Sequence, residues 1–394
     1  MSASGVRVGV VAGEPSGDLL AARMIQGVRD RVPDARLMGI GGPAMARAGF
    51  EAWHPMDALS VFGYVDALRR APRLLRTYRD TRSRLLAQRP DVFVGVDAPD
   101  FNLRLEVHLR RAGVPTIHFV GPSIWAWRYE RIHRIREAVS HMLVLFPFEE
   151  QIYRDEGIPV TCVGHPLASV IPMETDQAHA REALGLDPQA RVLALMPGSR
   201  ASEIRLLAPR FLQAVQRLQA QDPDLHCLVP MVNRERRMEF EACLAAHPVQ
   251  NLRIILQSTP AGLSRPAAWS VLAASDAALV ASGTATLEAA LFKRPMVISY
   301  VLSPWMRRIM AWRSGQERPL VPWVGLPNVL AQTFIVPELL QDEATPEGLA
   351  EASWRALTDE AHRREVTAQY SRLHADLQRD TVGLANRVIL AHAD

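Results

Sequence analysis

Cysteine, long apolar runs and an excess of charge are all scarce in this sequence. The three cysteines, Cys162, Cys227 and Cys243, have no metal-ligand spacing and are too few for a disulfide scaffold, which favours a reducing compartment. No apolar run approaches the roughly 20 residues that a transmembrane helix needs. The net charge is only +3, so charge gives no reason to expect nucleic-acid binding. The sequence predicts a protein that is soluble or lies on a membrane surface.

Targeting and metal motifs are equally sparse. Met1 runs almost directly into the strand-like residues 6–11, so we expect no signal peptide. We find no metal motif, internal repeat or low-complexity run. The segment from Gly13 to Asp18 lacks the third glycine of a dinucleotide fingerprint and carries two acidic residues, Glu14 and Asp18, which disfavours a pyrophosphate there. What the chain does have is core material, since 48% of its 394 residues are hydrophobic, and its length favours two domains.

Short apolar runs alternate with segments of helical period along both halves of the chain. This order predicts an α/β fold with parallel sheets, and residues 164–166 (Gly-His-Pro) mark a linker between the halves. The strand-like runs are residues 6–11, 35–41, 90–97, 115–120, 142–145 and 160–163 in the first half, and 192–195, 225–230, 252–256, 277–281 and 295–300 in the second. Residues 346–394 have a helical period and carry no evident chemistry.

Residues 196–200 (Met-Pro-Gly-Ser-Arg) form a glycine turn between a strand and a helix. Such a turn directs backbone N–H groups and the positive end of a helix at one point, which suits a phosphate. Arg200 adds a planar two-pronged donor. The alternative is an ordinary turn in which Gly198 only makes the bend. The phosphate interpretation predicts that Gly198, Ser199 and Arg200 bind a nucleotide diphosphate.

A second turn of this kind follows the strand at residues 277–281. Ser282, Gly283 and Thr284 precede a helix whose end would face the same diphosphate, and Glu288 on that helix can take ribose hydroxyls. Two such helix ends strengthen the phosphate hypothesis. Asn328, in what we predict to be a constrained loop at residues 326–330, either contacts the nucleotide or stabilises a turn.

In the first half, polar residues follow three predicted strands. Glu14, Ser16 and Asp18 suit sugar hydroxyls, although Ser16 or Asp18 alone also fits a helix N-cap. Asp97 and Asp100 lie where ligands bind in open α/β sheets, and either is a candidate general base. The alternative is that both cap the following helix, which suits Asp100 better than Asp97. Trp125 and Trp127 either wall a sugar or lipid pocket or pack in the core.

Two segments combine aromatic or aliphatic residues with arginine. The first includes Phe62 and carries five arginines between Arg69 and Arg79, and the second surrounds Trp305 and Arg307. Such segments suit a membrane interface or an acyl chain. The alternative for the first is a surface helix with an apolar face on the core.

Taken together, the motifs resemble the lipid-A-disaccharide synthase family of GT-B glycosyltransferases. The motifs that carry this resemblance span almost the whole chain and are residues 12–18 (Ala-Gly-Glu-Pro-Ser-Gly-Asp), 91–102, 122–128 (Pro-Ser-Ile-Trp-Ala-Trp-Arg), 197–200, 281–284 and 326–328. Departures are minor: Pro15 stands where Thr is common in the family, and Gly121 where Ser is common.

The resemblance implies two Rossmann-like domains with parallel sheets and a cleft between them. Residues 1–165 would form the acceptor and membrane-side domain, residues 166–345 the UDP-sugar domain, and residues 346–394 helices that cross back to the first domain. The implied reaction joins UDP-2,3-diacylglucosamine to 2,3-diacylglucosamine-1-phosphate (lipid X) with inversion and without a metal or cofactor. The product would be a β-1,6-linked disaccharide phosphate, with release of UDP. The implied setting is a homodimer on the cytoplasmic face of the inner membrane, with no nucleic-acid partner.

The resemblance also assigns roles to residues. Asp97 would be the catalytic base, and no residue would bind a metal. The UDP-binding set would be Gly198, Ser199, Arg200, Ser282, Gly283, Thr284, Glu288 and Asn328. The acceptor or sugar-side set would be Glu14, Ser16, Asp18, Asp100, Asn102, Ser123, Trp127 and Arg128. The membrane or acyl-chain set would be Val61, Phe62, Tyr64, Leu74, Leu75, Trp305, Met306 and Trp312.

Two other classes of protein fit parts of the sequence. A UDP-sugar epimerase would share the nucleotide turns but would not need the surface apolar–basic segments. A non-catalytic nucleotide-sugar or lipid-binding protein would bind UDP without turnover, and an activity assay separates it from the transferase.

Overall fold

The structure is a computed structural model that describes residues 5–59, 64–257, 266–303 and 320–393, together with Trp305 and Arg308; the side chains of residues 64–71 are outside this description. The chain divides into two compact units. The first unit is Met1–Pro166 with Leu377–Asp394, and the second is Leu167–Asp376.

The first unit alternates strands and helices, as the sequence predicts. Its strands are β1 (Arg7–Ala12), β2 (Arg36–Gly41), β3 (Glu51–Pro55), β4 (Val92–Val96), β5 (Thr116–Phe119), β6 (His141–Val144) and β7 (Val160–Cys162). Its helices are α1 (Pro15–Arg31), α2 (Pro43–Arg47), α3 (Tyr64–Gln88), α4 (Pro99–Arg111), α5 (Arg131–Ala138) and α6 (Pro147–Asp155), and α16 (Thr381–Ala391) joins them from the end of the chain.

The second unit repeats this alternation. It begins with the helices α7 (Pro166–Val170) and α8 (Gln177–Ala183). Its strands are β8 (Val192–Met196), β9 (His226–Met231), β10 (Leu252–Leu256), β11 (Ala277–Ala281), β12 (Met296–Tyr300) and β13 (Glu338–Leu340). Its further helices are α9 (Ala201–Gln221), α10 (Arg234–Ala246), α11 (Ala267–Ala274), α12 (Thr284–Leu291), α13 (Leu326–Ala331), α14 (Pro346–Thr358) and α15 (Glu360–Leu377).

Both sheets are parallel throughout the described strands. The first has the order β3-β2-β1-β4-β5-β6-β7, and the second has the order β10-β9-β8-β11-β12-β13. In each sheet the order reverses once, between β1 and β4 and between β8 and β11. Ligands of doubly wound sheets bind at such a reversal, beyond the carboxyl ends of the strands. The turns that follow these four strands are therefore the first places to look for a site.

Continuous apolar sequence builds each core. In the first unit, Val10 of β1 and Val94 of β4 are fully buried against Met24 and Ile25 of α1, and Ile389 of α16 closes the same cluster. Strands buried on both faces need this uninterrupted apolar sequence. Each fully buried aliphatic side chain contributes about 1.5–3 kcal/mol.

The second unit packs its sheet in the same way. The helical spacing of Leu207, Phe211 and Val215 places one face of α9 on Leu195 and Leu279 of the central strands. The turn between β8 and α9 is therefore held by a buried strand on one side and a buried helix face on the other.

Three elements differ from the sequence-based expectation. The edge strands β3 and β13 were not predicted, because each is short and neither is fully buried. Residues 326–330 were predicted to be a constrained loop, but Leu326–Ala331 is helical (α13). Pro327 sits in its first turn, where proline is tolerated because no amide hydrogen is needed.

Candidate active site

Asp97 lies directly beyond β4, at the reversal of the first sheet. Its φ is 53° and that of Ala98 is 45°, so two consecutive non-glycine residues adopt the left-handed conformation. Each such residue costs about 1 kcal/mol or more and persists only where its surroundings hold it. The Asp97 amide donates to Phe119 O at 2.8 Å, and Asn102 Nδ2 donates to Asp97 O at 2.7 Å. The backbone of Asp97 is thus fixed at both ends.

The Asp97 carboxylate is partly exposed, and it accepts no hydrogen bond from the residues that the structure describes. A fixed backbone that carries an available carboxylate is the geometry expected of a general base. Strain of the same kind recurs in the turns after β5, where Val120 has φ 69° and Arg128 has φ 59°. A β-branched residue at positive φ is uncommon, and such residues cluster at functional sites.

Asp18 does not face a ligand, contrary to the sequence-based prediction. Its carboxylate is buried and accepts hydrogen bonds from the amides of Gly42, Ala44 and Met45 at 2.9, 2.9 and 3.1 Å. These amides open α2, so the carboxylate satisfies the positive end of that helix. The N-cap of α1 itself is Glu14.

Asn102 is likewise structural. Its side chain is fully buried, and its amide group reaches Asp97 O at 2.7 Å and Val11 O at 3.3 Å. Asn102 therefore stabilises the backbone of the site and does not contact a sugar. Asp100 is 86% exposed and pairs with Arg131 at 2.9 Å. The helix that both residues belong to begins at Pro99 and has Ala98 as its N-cap, so neither Asp97 nor Asp100 is the N-cap.

The remaining sugar-side residues are accessible. Glu14, Ser16 and Ser123 are exposed, and Trp127 and Arg128 are half-buried. They follow β1 and β5, on either side of β4 in the sheet order. Their assignment to the acceptor remains a prediction.

Glu149 is a buried carboxyl group that sequence reasoning missed. It accepts hydrogen bonds from Phe146 N at 3.2 Å and from Trp125 Nε1 at 3.3 Å. Burial raises its pKa to about 7. Trp125 also contacts the edge of Phe148, with ring centroids 5.3 Å apart. Trp125 is thus anchored by its indole N–H as well as packed.

In the second unit, the turn after β8 already holds a carboxylate. The amides of Ser199 and Arg200 donate to Glu203 Oε2 at 3.0 and 3.1 Å, and Arg200 Nη1 pairs with Glu203 Oε1 at 3.2 Å. Gly198 has φ 109°, and a Cβ there would lie 2.4 Å from Glu203 Oε2. The turn therefore has the geometry to bind an anion, and its own helix supplies one in this structure.

Sequence reasoning did not assign Glu203 a role. The spacing of three residues from the N-cap Arg200 to a glutamate is the signal that would have found it. The Arg200 side chain is 77% exposed, so its guanidinium remains accessible beside this internal pair.

The turn after β11 presents the second helix end. Gly283 has φ 145° and is the N-cap of α12, with open space where a Cβ would stand. Thr284 is exposed. Ser282 does not cap this helix, because its hydroxyl donates to Val324 O at 3.0 Å and so secures a neighbouring segment. The first amides of α12 have no acceptor within the helix, which leaves them suited to an anion.

Glu288 and Asn328 have different surroundings. Glu288 is half-buried and accepts a hydrogen bond from Trp269 Nε1 at 2.9 Å, and burial raises its pKa. Asn328 is fully buried. Its amide group donates to Val336 O and Glu338 Oε1, and its oxygen accepts from the amides of Ile335 and Val336.

These four bonds use the whole hydrogen-bonding capacity of the Asn328 side chain. The prediction that Asn328 contacts the nucleotide is therefore wrong for this structure, and the turn-stabilising alternative is the one observed.

The predicted membrane set is only partly described. Leu74 is half-buried and packs on the core beside α4, whereas Leu75 is 48% exposed and Trp305 is 70% exposed. Val61, Phe62, Met306, Trp312 and the side chain of Tyr64 lie outside the described residues.

Membrane-spanning helices and metal-binding clusters are both missing from the described part of the chain. None of its helices combines the length and the apolar character that a membrane span requires. No group of three or more His, Cys, Asp or Glu side chains in this part of the chain is arranged to hold a metal ion.

Comparison with known structures shows the fold. The chain superposes on a UDP-GlcNAc 2-epimerase from Neisseria meningitidis bound to UDP-GlcNAc with a TM-score of 0.64, at 10% identity, covering 98% of this chain and 100% of that one. It also superposes on WaaG, a glycosyltransferase involved in lipopolysaccharide biosynthesis, with a TM-score of 0.56, at 16% identity, covering 98% and 99%. The predicted α/β fold of the GT-B type is confirmed.

Sequence comparison is more specific. The family model described as Lipid-A-disaccharide synthetase matches residues 8–392. A lipid-A-disaccharide synthase from Bordetella petrii is 70% identical over 383 residues, which is 97% of either chain. One from Aromatoleum aromaticum is 48% identical over 386 residues, covering 98% of this chain and 96% of that one. These matches confirm the resemblance seen in the motifs, and the chain belongs to the lipid-A-disaccharide synthase family, the glycosyltransferases of lipid A biosynthesis.

Proposed function

We propose that this glycosyltransferase joins UDP-2,3-diacylglucosamine to the 6-hydroxyl of 2,3-diacylglucosamine-1-phosphate. The bond from the anomeric carbon to the UDP oxygen breaks, and a bond from that carbon to the acceptor oxygen forms. An α-linked donor gives a β-linked product, so the attack is in line and needs one base. The observation that carries the proposal is Asp97, whose fixed, left-handed backbone holds an available carboxylate at the reversal of the first sheet.

Asp97 takes the proton of the acceptor hydroxyl as the new bond forms. The products are UDP, the protonated carboxyl group and the β-1,6-linked disaccharide-1-phosphate. Glu14 and Ser16, at the start of α1, and Ser123, after β5, are exposed, and we assign them to the acceptor or sugar.

The departing UDP carries growing negative charge. Gly198, Ser199 and Arg200 precede α9, and Gly283 and Thr284 lie at the start of α12, so a guanidinium and backbone amides stand on both sides of the second reversal. The Ser199 and Arg200 amides, which donate to Glu203 in this structure, would exchange that carboxylate for the phosphate. Preorganised donors of this kind stabilise a developing anion without a metal. Glu288 is the group that we assign to the ribose hydroxyls. The second unit is accordingly the UDP-sugar side, and the first is the acceptor side.

A lipid substrate calls for contact with a bilayer. Exposed Leu75 and Trp305 stand in segments rich in arginine, which suits an anionic surface. We propose peripheral association with the cytoplasmic face of the inner membrane. We also propose a homodimer, on the strength of the family alone.

The test is release of UDP from UDP-2,3-diacylglucosamine with and without 2,3-diacylglucosamine-1-phosphate, in EDTA. We expect release only when both lipids are present, undiminished by the chelator, with a disaccharide phosphate as product. Release without the acceptor would indicate a hydrolase. A 2-epimer without release of UDP would indicate an epimerase. Tight UDP binding without turnover of either kind would indicate a binding protein.

A further inference from the structure

A buried ionisable pair in the first unit has no role in the chemistry proposed above. His118 of β5 and Glu106 of α4 are both fully buried, and His118 Nδ1 lies 2.8 Å from Glu106 Oε1. His118 Nε2 and Glu106 Oε2 have no hydrogen-bond partner among the described residues. Burying such groups is costly, and each unsatisfied atom calls for an explanation.

The backbone makes room for this pair. His118 is the register partner of Gly95 on the neighbouring strand β4. A Cβ at residue 95 would lie 2.2 Å from Glu106 Oε1, so any larger residue would displace the carboxylate. Glycine interrupts the otherwise apolar strand at the one position that faces the pair.

The elements that hold the pair also hold Asp97. Gly95 is two residues before Asp97 on the same strand. The Asp97 amide donates to the carbonyl of Phe119, the residue after His118, at 2.8 Å. Asn102, one helical turn before Glu106 on α4, donates to the Asp97 carbonyl at 2.7 Å. Any shift of the pair is therefore transmitted to the Asp97 backbone through one strand and one helix.

Charge links the pair to Asp97 as well. Burial by itself lowers the pKa of His118, but the pKa is raised overall because Glu106 and, more weakly, Asp97 and the Val120 backbone favour the protonated ring. Burial raises the pKa of Glu106, with His118 acting in the opposite direction. Glu106 and Asp97 are the charged groups that act on this imidazole.

We propose that His118, held by Glu106, is a positioning residue for Asp97. The proposal rests on the base role of Asp97 proposed above. Through the adjoining Phe119 carbonyl, and through Asn102 on the helix that carries Glu106, the pair keeps the Asp97 backbone in place as the acceptor hydroxyl approaches. The acceptor proton moves to Asp97 alone, and neither His118 nor Glu106 exchanges a proton with the substrates.

The first test compares His118→Gln with Thr116→Val in the full-length enzyme. Thr116 is a matched control because it lies on the same strand and the same face, is fully buried, and donates from Oγ1 to Ala138 O at 2.7 Å. We expect His118→Gln to lower kcat about tenfold at pH 7, because a catalytic group that is displaced from its productive position loses rate steeply. KM and the Kd for UDP should stay within about twofold of wild type, because the substrates do not touch His118.

The split between kcat and KM separates positioning from packing. His118→Gln should lower kcat while KM and UDP binding are kept, because only the placement of Asp97 changes. Thr116→Val should lose thermal stability but keep the wild-type kcat. The proposal is overturned if both variants lose stability alike and His118→Gln keeps the wild-type kcat.

A double-mutant cycle completes the test. Because His118 acts through Asp97, adding His118→Gln to Asp97→Asn should cause no further loss of kcat. Losses that multiply would overturn the proposal. Glu106→Gln, which keeps an acceptor for Nδ1, should show the same loss of kcat in smaller measure, and it carries the test if His118→Gln does not fold. Wild-type turnover by Asp97→Asn alone would instead refute the proposed function, so the two failures are distinguishable.

Discussion

At the scale of single residues, the Asp97 carboxylate is the group on which the proposed chemistry depends. We predict that Asp97→Asn lowers kcat at least about 100-fold, the usual contribution of a general base. UDP binding should persist, because the proposed nucleotide contacts are all in the second unit. Rapid-quench kinetics and calorimetric titration with UDP measure the two effects.

Asp91→Asn is the matched control for this variant. Asp91 precedes the same strand at its other end, where it bonds the Arg7 amide at 2.7 Å and the Arg7 guanidinium at 3.2 Å. The variant Asp91→Asn removes one carboxylate charge, as Asp97→Asn does, but at the opposite end of β4. Equal losses of turnover in Asp91→Asn and Asp97→Asn would remove Asp97 from the base role.

Glu149 gives the fold a pH dependence of its own. Its pKa is raised to about 7 by burial, from 4.5 as an ordinary value, so the folded state keeps this proton between those pH values while the unfolded state loses it. The contribution of Glu149 to the unfolding free energy therefore falls as pH rises through this window, by up to about 3 kcal/mol, and is flat above pH 7.

Glu149→Gln tests that sign, because an amide resembles the protonated acid. We expect the melting temperature of the variant, relative to wild type, to rise steadily between pH 5 and pH 7 and to level off above pH 7. A difference that stays constant over this range would show that Glu149 does not titrate there.

At the scale of elements, the turn between β8 and α9 is the clearest anion site in the second unit. We predict that Arg200→Ala raises the Kd for UDP about tenfold or more, since hydrogen bonds between charged groups are worth about 1.5–3 kcal/mol. Uridine, which lacks phosphate, should bind both proteins alike. Calorimetry with both ligands decides this, and an unchanged Kd for UDP would exclude Arg200 from the phosphate site.

The strands and their carboxyl-end turns were predictable because parallel strands buried on both faces need unbroken apolar sequence. The runs around Val94 and Leu195 could be recognised on that ground alone, and Asp97 and Gly198 follow directly from their ends. Edge strands such as β13 could not be recognised, because a three-residue strand of intermediate burial is too short to show an alternation of apolar and polar residues.

The errors in the candidate site have one physical cause. Polar side chains that were expected to contact a ligand form hydrogen bonds with backbone groups elsewhere in the chain. Asp18 bonds amides 24 to 27 residues away, and Asn328 bonds backbone 7 and 8 residues away. A polar residue beside a glycine turn looks the same in sequence whether it serves a ligand or a neighbouring loop. Only the packed chain distinguishes the two uses.

At the scale of the whole molecule, the chain passes twice from one unit to the other. It enters the second unit at Leu167 and returns to the first at Leu377, where α16 packs Ala385 and Ile389 into the core beside α1. Helical period alone could not assign residues 346–394 to one unit, because α14 packs on the second core whereas α16 packs on the first.

Membrane association is the last property that belongs to the molecule as a whole. Leu75 is flanked by exposed Arg73 and Arg76, and Trp305 is near exposed Arg308, so aliphatic or aromatic surface is combined with positive charge in both places. Such surfaces bind anionic bilayers through apolar insertion and through attraction that salt screens. Met238 is equally exposed, at 69% against 70% for Trp305, and lies on the helix α10, where the neighbouring Arg236 and Arg237 are paired with Glu239 and Glu241.

We predict that Trp305→Glu and Leu75→Glu each lower co-sedimentation with vesicles of phosphatidylglycerol and phosphatidylethanolamine, by about fivefold or more, because each loses apolar contact and gains repulsion. Met238→Glu should bind as wild type, since it makes the same chemical change away from both segments. Raising the salt from 50 to 500 mM should weaken wild-type binding, because the arginines contribute through charge. If Met238→Glu reduced vesicle binding as much as Trp305→Glu, the exposure of an apolar side chain would by itself explain the effect. The two segments would then not be specific membrane-binding sites.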